Sequence, residues 1–191
     1  MTKDQFPVIG GRDKSSGRKR TLLVFISVVA LIVIADQATK ALVAASVPLD
    51  RGVELVPGIL DIVHARNPGA AFGMFSQSVS PWRRLFFIGI SIVALAVILW
   101  LVLESPRIEG FLLGGYSLFF GGTLGNLVDR VRFGEVIDFI NVHWGKFYWP
   151  AFNVADSALC IGTALFLLHF LRQKGAERDT NPRSDGNREV R

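Results

Sequence analysis

From Leu85 to Leu103 the chain runs 19 residues without a single charge. About 20 apolar residues in a row are what a helix needs to cross a bilayer. Three more stretches approach that length. The first, about 21–47, is interrupted by Asp36 and Lys40. Another, about 111–128, is closed by Asp129, and the last, about 153–171, carries Asp156 near its start. The expected fold is a membrane all-α bundle of four transmembrane helices. The first stretch is too long for a cleavable signal peptide and no clear small-residue cleavage site follows it.

Most of the charge lies between and beyond these spans. Of the 21 Lys and Arg, six lie in residues 1–20 and six in residues 172–191. The formal net charge of +5 therefore describes membrane topology, and no nucleic-acid partner is expected. With 50% hydrophobic and 19% charged residues, a soluble enzyme and a disordered chain are excluded. The single cysteine, Cys160, excludes a disulfide framework and a thiolate metal cluster. The positive-inside rule puts both basic tails, 1–20 and 173–191, in the cytoplasm as unstructured segments around a four-span domain over 21–172. Arg83 and Arg84 then fall on the outer side, against the rule.

Two outer loops remain. Residues 48–80 carry β-branched runs punctuated by Pro and Gly, which predicts a small sheet. Residues 129–152 carry Phe133, Phe139, Trp144, Phe147, Tyr148 and Trp149, which predicts an interfacial loop.

Counting along the spans brings the polar residues together. Asp36 lies 15 residues into the first span, roughly 22 Å along the helix. The third span runs the same way and ends on Asn126, Asp129 and Arg130. The fourth begins with Asn153 and Asp156, and Asp138 sits in the loop between them. Four carboxylates therefore converge near the outer surface. Ionisable residues in spans are costly and mark function by default. Asp36 and Lys40, at i and i+4, suit a structural ion pair. Asp129 and Arg130 suit a helix end, and Gly121-x-x-x-Gly125 suits close helix packing. Asp138 projects from an apolar segment, and Asp156 lies where a helix N-terminus stabilises a carboxylate. Two carboxyls sharing a low-dielectric site do not both ionise easily, and such a pair can activate water. From the residues alone, an aspartic dyad, a proton or ion relay and structural pairing all stay open. His64, His143 and His169 lack metal-ligand spacing, so no metal or other cofactor is expected.

At these positions the chain resembles the lipoprotein signal peptidase (signal peptidase II) family of bacterial intramembrane aspartic peptidases. The resemblance covers about residues 21–172. It rests on five boxes in order: Asp36-Gln37-Ala38-Thr39-Lys40; Asn67-Pro68-Gly69-Ala70-Ala71-Phe72; Gly121 to Arg130; Val136-Ile137-Asp138-Phe139; and Phe152-Asn153-Val154-Ala155-Asp156-Ser157. Pro68 fills a variable slot, and the basic tails lie outside the pattern.

The resemblance implies four spans with a small extracytoplasmic β-cradle in the bacterial inner membrane. It implies a diacylglyceryl-modified prolipoprotein substrate, delivered from membrane lipid and cut just before the lipidated cysteine. It carries the catalytic pair to Asp138 and Asp156. Asn67, Gly69, Asn126, Arg130 and Asn153 become substrate-binding or positioning residues, while Asp36, Lys40 and Asp129 are structural. Inhibition by a cyclic peptide antibiotic such as globomycin and a monomeric state are further expectations. A proton-coupled carrier or channel component is the competing function, opposed by the absence of any carboxylate relay toward the cytoplasmic side and of inverted repeats.

Overall fold

The computed structural model describes residues 14–69, 81–105, 108 and 110–180. Its elements are α1 (Lys14–Ser46), β1 (Gly52–Val56), β2 (Leu60–Asn67), α2 (Pro81–Glu104), α3 (Gly110–Phe133), β3 (Val136–Trp144), β4 (Phe147–Tyr148) and α4 (Val154–Thr180). The four helices are long and apolar enough to cross a membrane.

The buried face of α1 is spelled by spacing. Phe25, Val29, Ile32, Asp36, Lys40, Val43 and Val47 are buried and step by three or four residues. The apolar ends of this stripe enter two separate cores. Phe25 and Val29 pack with Ile98 and Val102 of α2. Val43 and Val47 pack with Phe139 of β3 beneath the sheet. Asp36 and Lys40 lie between them, so a polar layer is enclosed by an apolar core on each side.

α3 is the central helix and packs on the other three. Its glycines make that possible. A Cβ on Gly121 would press on Ile32, and one on Gly125 would lie 2.6 Å from the Asp36 carboxylate. A Cβ on Gly122 would collide with the Ala155 carbonyl of α4. The expected Gly121–Gly125 packing face is therefore turned toward α1, with Gly122 turned toward α4.

The sheet is antiparallel in the order β1-β2-β3-β4. The β1–β2 turn uses Pro57 and Gly58, with Gly58 at φ 72° and Ile59 N–H donating to the Val56 carbonyl at 3.0 Å. Those are the requirements of a type II turn. The expectation that the sheet belongs to residues 48–80 is corrected: half of it comes from the loop 129–152. β3 pairs Ala65 with Asp138 and Asn67 with Val136. The first four residues of β3 are all buried, so this strand shows no polar alternation and reads simply as apolar. Trp144, Phe147, Tyr148 and Trp149 cluster exposed around the β3–β4 hairpin.

The expected unstructured tails are corrected in part. α1 begins seven residues before the first span's expected start, and α4 continues to Thr180. Adding residues to an existing helix costs little, and Gln173, Lys174, Ala176, Glu177 and Arg178 are good helix formers. Residues 1–13, 181–191, Ala70, Ala71, Phe72 and Arg107 lie outside the described residues. Arg84 has a local reason to be where it is. Its Nη2 donates to the Val131 carbonyl at 2.7 Å, capping the C-terminal turn of α3.

Gly122→Val places a branched side chain against the α4 backbone, which has no rotamer with which to yield. Overpacking of this kind costs about 1–3 kcal/mol. The variant is expected to unfold at lower temperature than wild type in detergent, with Gly89→Val on a helix face open to space as control. Equal melting temperatures would refute the tight α3–α4 contact.

Candidate active site

Three helix ends and one strand meet beneath the sheet. The C-terminal half of α1 brings Asp36, Gln37 and Lys40. The end of α3 brings Asn126, Asp129 and Arg130. β3 brings Asp138, and the start of α4 brings Asn153 and Asp156.

The deepest group is an ion cluster. Lys40 Nζ lies 2.7 Å from Asp36 Oδ2 and 2.9 Å from Asp129 Oδ2, with all three side chains at most 2% exposed. One cation does not neutralise two carboxylates, and the remaining acceptor capacity is met by donors. Ala155 N–H donates to Asp36 Oδ1 at 3.0 Å and Ile137 N–H donates to Asp129 Oδ2 at 3.2 Å. Gln37 Nε2 donates to Asp129 Oδ1 at 2.9 Å. Asp36 thereby satisfies one of the orphan amides in the first turn of α4, where the helix dipole favours an anion. Asp129 is held by Lys40, and Arg130 instead lies over the Phe87 ring, 5.1 Å from its centroid.

Asn126 joins this cluster to the other two carboxylates. Its Oδ1 accepts from Lys40 Nζ at 3.1 Å and from Asn153 Nδ2 at 3.2 Å. Its Nδ2 donates to Asp156 Oδ1 at 2.8 Å. Asn153 is the N-cap of α4. Its Oδ1 accepts from the Asp156 N–H at 2.9 Å, and Asp156 Oδ2 accepts from the Asn153 N–H at 3.2 Å. This reciprocal capping box fixes the Asp156 rotamer. The Asn153 amide then reaches across to Asp138 Oδ1, donating at 2.7 Å. A single buried side chain therefore touches both Asp138 and Asp156.

Asp138 is held from its other side by Asn67, whose Nδ2 donates to Oδ2 at 2.9 Å. Asn67 is itself oriented, because its Oδ1 accepts from the Gly69 N–H at 2.9 Å in an Asx turn. Gly69 sits at φ 93°, and a Cβ there would overlap the Phe87 ring. Gly69 thus acts through the turn that aims Asn67. Burial pushes the Asp138 carboxyl up to about 6. The nearby Asp156 charge also raises it, while hydrogen bonds from Asn67 and Asn153 pull it down. Asp138 is 2% exposed, whereas Asp156 is partly open to the surroundings.

The structure brings all ten candidate residues to one end of the bundle, but in two groups. Asp36, Lys40 and Asp129 form the closed ion cluster. Asp138 and Asp156 share Asn153. Gln37 was not singled out from sequence, although a polar residue inside a span is itself a signal. The capping box was also legible as Asn-x-x-Asp before an apolar run. Among the described residues, no group of three or more His, Cys, Asp or Glu is placed to hold a metal ion. His143 pairs with Asp61 at 3.2 Å, and His64 meets the Val47 carbonyl at the end of α1.

A family model described as signal peptidase (SPase) II matches residues 28–172. The lipoprotein signal peptidase of Desulforapulum autotrophicum is 42% identical over 153 residues, covering 80% of this chain and 94% of that protein. That of Geobacter metallireducens is 42% identical over 158 residues, covering 83% and 96%. A solved bacterial membrane enzyme superposes with a TM-score of 0.69 at 32% identity, covering 88% of this chain and 94% of that one.

Lys40→Met leaves two buried carboxylates without their cation. Breaking such a cluster from one side costs about 3–5 kcal/mol, whereas replacing it entirely is often neutral. Lys40→Met is therefore expected to lose most of its folded yield in detergent. The triple variant Asp36→Asn, Lys40→Met, Asp129→Asn is expected to recover much of it. A stable Lys40→Met single variant, read by thermal unfolding, would show that the cluster carries no such charge imbalance.

Proposed function

Because the chain belongs to the signal peptidase II family, we propose that Asp138 and Asp156 are the paired carboxyls with which it cuts lipoprotein precursors. Membership makes the protein an aspartic peptidase with lipoprotein signal peptidase activity, in a multi-pass bacterial membrane setting. The carrier alternative has no observation in its favour. The observation that supports the dyad is the Asn153 bridge: its side-chain amide donates to the Asp138 carboxyl and its backbone N–H to the Asp156 carboxyl, two groups of different environment.

The proposed reaction is a single displacement by water. Asp138 enters with its proton and donates a hydrogen bond to the scissile carbonyl oxygen. Asp156, at the positive end of α4, takes a proton from water as the oxygen attacks the carbonyl carbon. The tetrahedral intermediate collapses, Asp156 returns that proton to the leaving nitrogen, and Asp138 keeps its own. One water is consumed, giving one carboxyl and one amine. Asn67 and Asn153 orient Asp138, and Asn126 and Asn153 orient Asp156. Arg130, whose charge is within electrostatic reach of Asp129, Asp138 and Asp156, positions the outer rim.

The proposed substrate is a prolipoprotein whose cysteine already carries diacylglycerol, cut just before that cysteine. Both termini lie in the cytoplasm, so the dyad sits near the outer face. Lipid anchoring holds the scissile bond at that same depth, which replaces a search in three dimensions by one in two. Globomycin-type inhibition and action as a monomer belong to the same proposal.

A gel-shift assay in detergent, with diacylated and unlipidated precursor, tests it. Asp138→Asn and Asp156→Asn are each expected to lose on the order of 10³-fold or more in kcat/KM while remaining folded. Asp36→Asn is expected to act on stability. Cleavage persisting in either folded dyad variant would reject the assignment.

The pH profile carries a sign. The required proton on Asp138 is present below about 6 and is lost as pH rises through that value. The alkaline limb of kcat/KM in the free enzyme is therefore expected near 6, well above an ordinary aspartate. Asn67→Ala removes a bond that favours the charged form, so it should move this limb to higher pH. A limb that moves down, or stays, would contradict the proposed role of Asp138.

A further inference from the structure

Beside Asp156 a groove of about 790 Å³ opens between the β3–β4 hairpin and the first turns of α4. Phe147, Trp149 and Phe152 form one wall, and Asp156, Cys160 and Ile161 form the other. The helix wall from Asp156 to Ile161 extends roughly 7.5 Å along the axis, away from the sheet and into the span. The geometry points to this groove as the site that receives one acyl chain of the substrate's diacylglyceryl group. The inference rests on the lipidated-precursor reading above and adds where the lipid goes.

The chemistry of the walls selects the occupant. An extended peptide needs partners for its backbone N–H and C=O groups. On the hairpin wall, three of these partners are already taken. Trp149 N–H donates to the Val142 carbonyl, Phe152 N–H donates to the Ile140 carbonyl, and the Phe152 carbonyl accepts from Phe139 and Ile140. Pro150 has no N–H to offer. On the helix wall, the Ser157 hydroxyl is donated to the Asn153 carbonyl at 3.0 Å. A peptide laid here would have to compete with these bonds for partners, whereas hydrocarbon asks for none. The groove is also continuous with the candidate dyad, because Asp156 is part of its wall. A chain bound in it is tied to the cysteine whose preceding bond is to be cut. The aromatic hairpin side chains sit at the head of the groove, where the glycerol end would lie.

Cys160 makes the groove testable without a new label. It is the chain's single cysteine, it is exposed, and it forms part of the groove wall. The probe is N-ethylmaleimide, applied to full-length Asp138→Asn protein in phosphatidylcholine nanodiscs. A dipalmitoylglyceryl precursor peptide at about four times its Kd should slow Cys160 alkylation about fivefold, since only the unoccupied fraction reacts. The unlipidated peptide should leave the rate unchanged. Equal alkylation with and without the lipidated peptide would overturn the assignment, as would equal protection by the unlipidated one. A second measurement needs no trapped substrate. Ile161→Trp should raise KM for a dipalmitoyl substrate about tenfold over that for a dioctanoyl substrate, the equivalent of about 1.4 kcal/mol. An unchanged KM ratio in folded enzyme would likewise overturn it. Wild type cutting lipidated and unlipidated precursors equally would instead remove the underlying substrate reading. Lipid-dependent cleavage with Cys160 unprotected removes the groove alone.

Discussion

The arrangement hangs on Lys40. Its ammonium is shared by Asp36 on its own helix and Asp129 on α3, and it also donates to Asn126. Through the remaining oxygens of those two carboxylates, the same cluster holds the Ala155 amide of α4 and the Ile137 amide of β3. The first helix is thus tied at one point to three later elements, α3, β3 and α4. In an apolar surrounding, nothing but other protein groups can satisfy these atoms, so the tie is geometrically exacting. It explains why α3 must approach α1 at Gly125: any Cβ there would occupy the space of the Asp36 carboxylate.

That tie is what allows a second pair of carboxylates to lie next to it. Asp156 takes its position from the start of a helix, and that start is fixed twice, by the Asn153 capping box and by Asp36 on the neighbouring amide. Asp138 takes its position from a strand that begins immediately after α3. Gly134, at φ 82°, ends the helix with its N–H donating to the Arg130 carbonyl at 3.1 Å. This αL cap turns the chain back over the bundle. Helix termination, strand entry and helix initiation are ordinary requirements of folding. Here each of them delivers one polar group to the same place.

Much of this was legible from residues. The four spans follow from uncharged length, and the convergence of Asp36, Asn126, Asp129, Asp138, Asn153 and Asp156 follows from counting along them. The division of labour among the carboxylates did not follow from counting. The i, i+4 spacing already suggests an ion pair for Asp36, but it leaves open what Asp138 does; in the structure a cation lies 2.7 Å from Asp36 and only amides hydrogen-bond to the Asp138 carboxyl. The family resemblance drew that division where counting could not. β3 was hidden because its first residues are buried on both faces and lack a period of two. Pairing of β2 with β3 is a contact across some 70 residues, which no local pattern encodes. Arg130 follows Asp129 directly in sequence, yet its guanidinium lies over the Phe87 ring. Neighbours in a helix point about 100° apart, and Lys40 reaches the carboxylate from another helix.

The contrast between the two carboxyls of the proposed dyad has a structural origin that bears on its chemistry. Asp138 is closed in by the sheet and receives hydrogen bonds only from neutral amides, so nothing offsets its desolvation with positive charge at contact distance. Asp156 is at a helix N-terminus and partly open. An acid and a base made from the same residue type require such asymmetry, since identical sites would share a proton without assigning it. The neutral asparagines are what preserve it. A lysine in place of Asn67 or Asn153 would hold Asp138 ionised, and a carboxylate there would force protons onto the whole group. Amides bind both carboxyls firmly without adding charge, so the proton affinity of Asp138 is left to its burial, which the fold fixes.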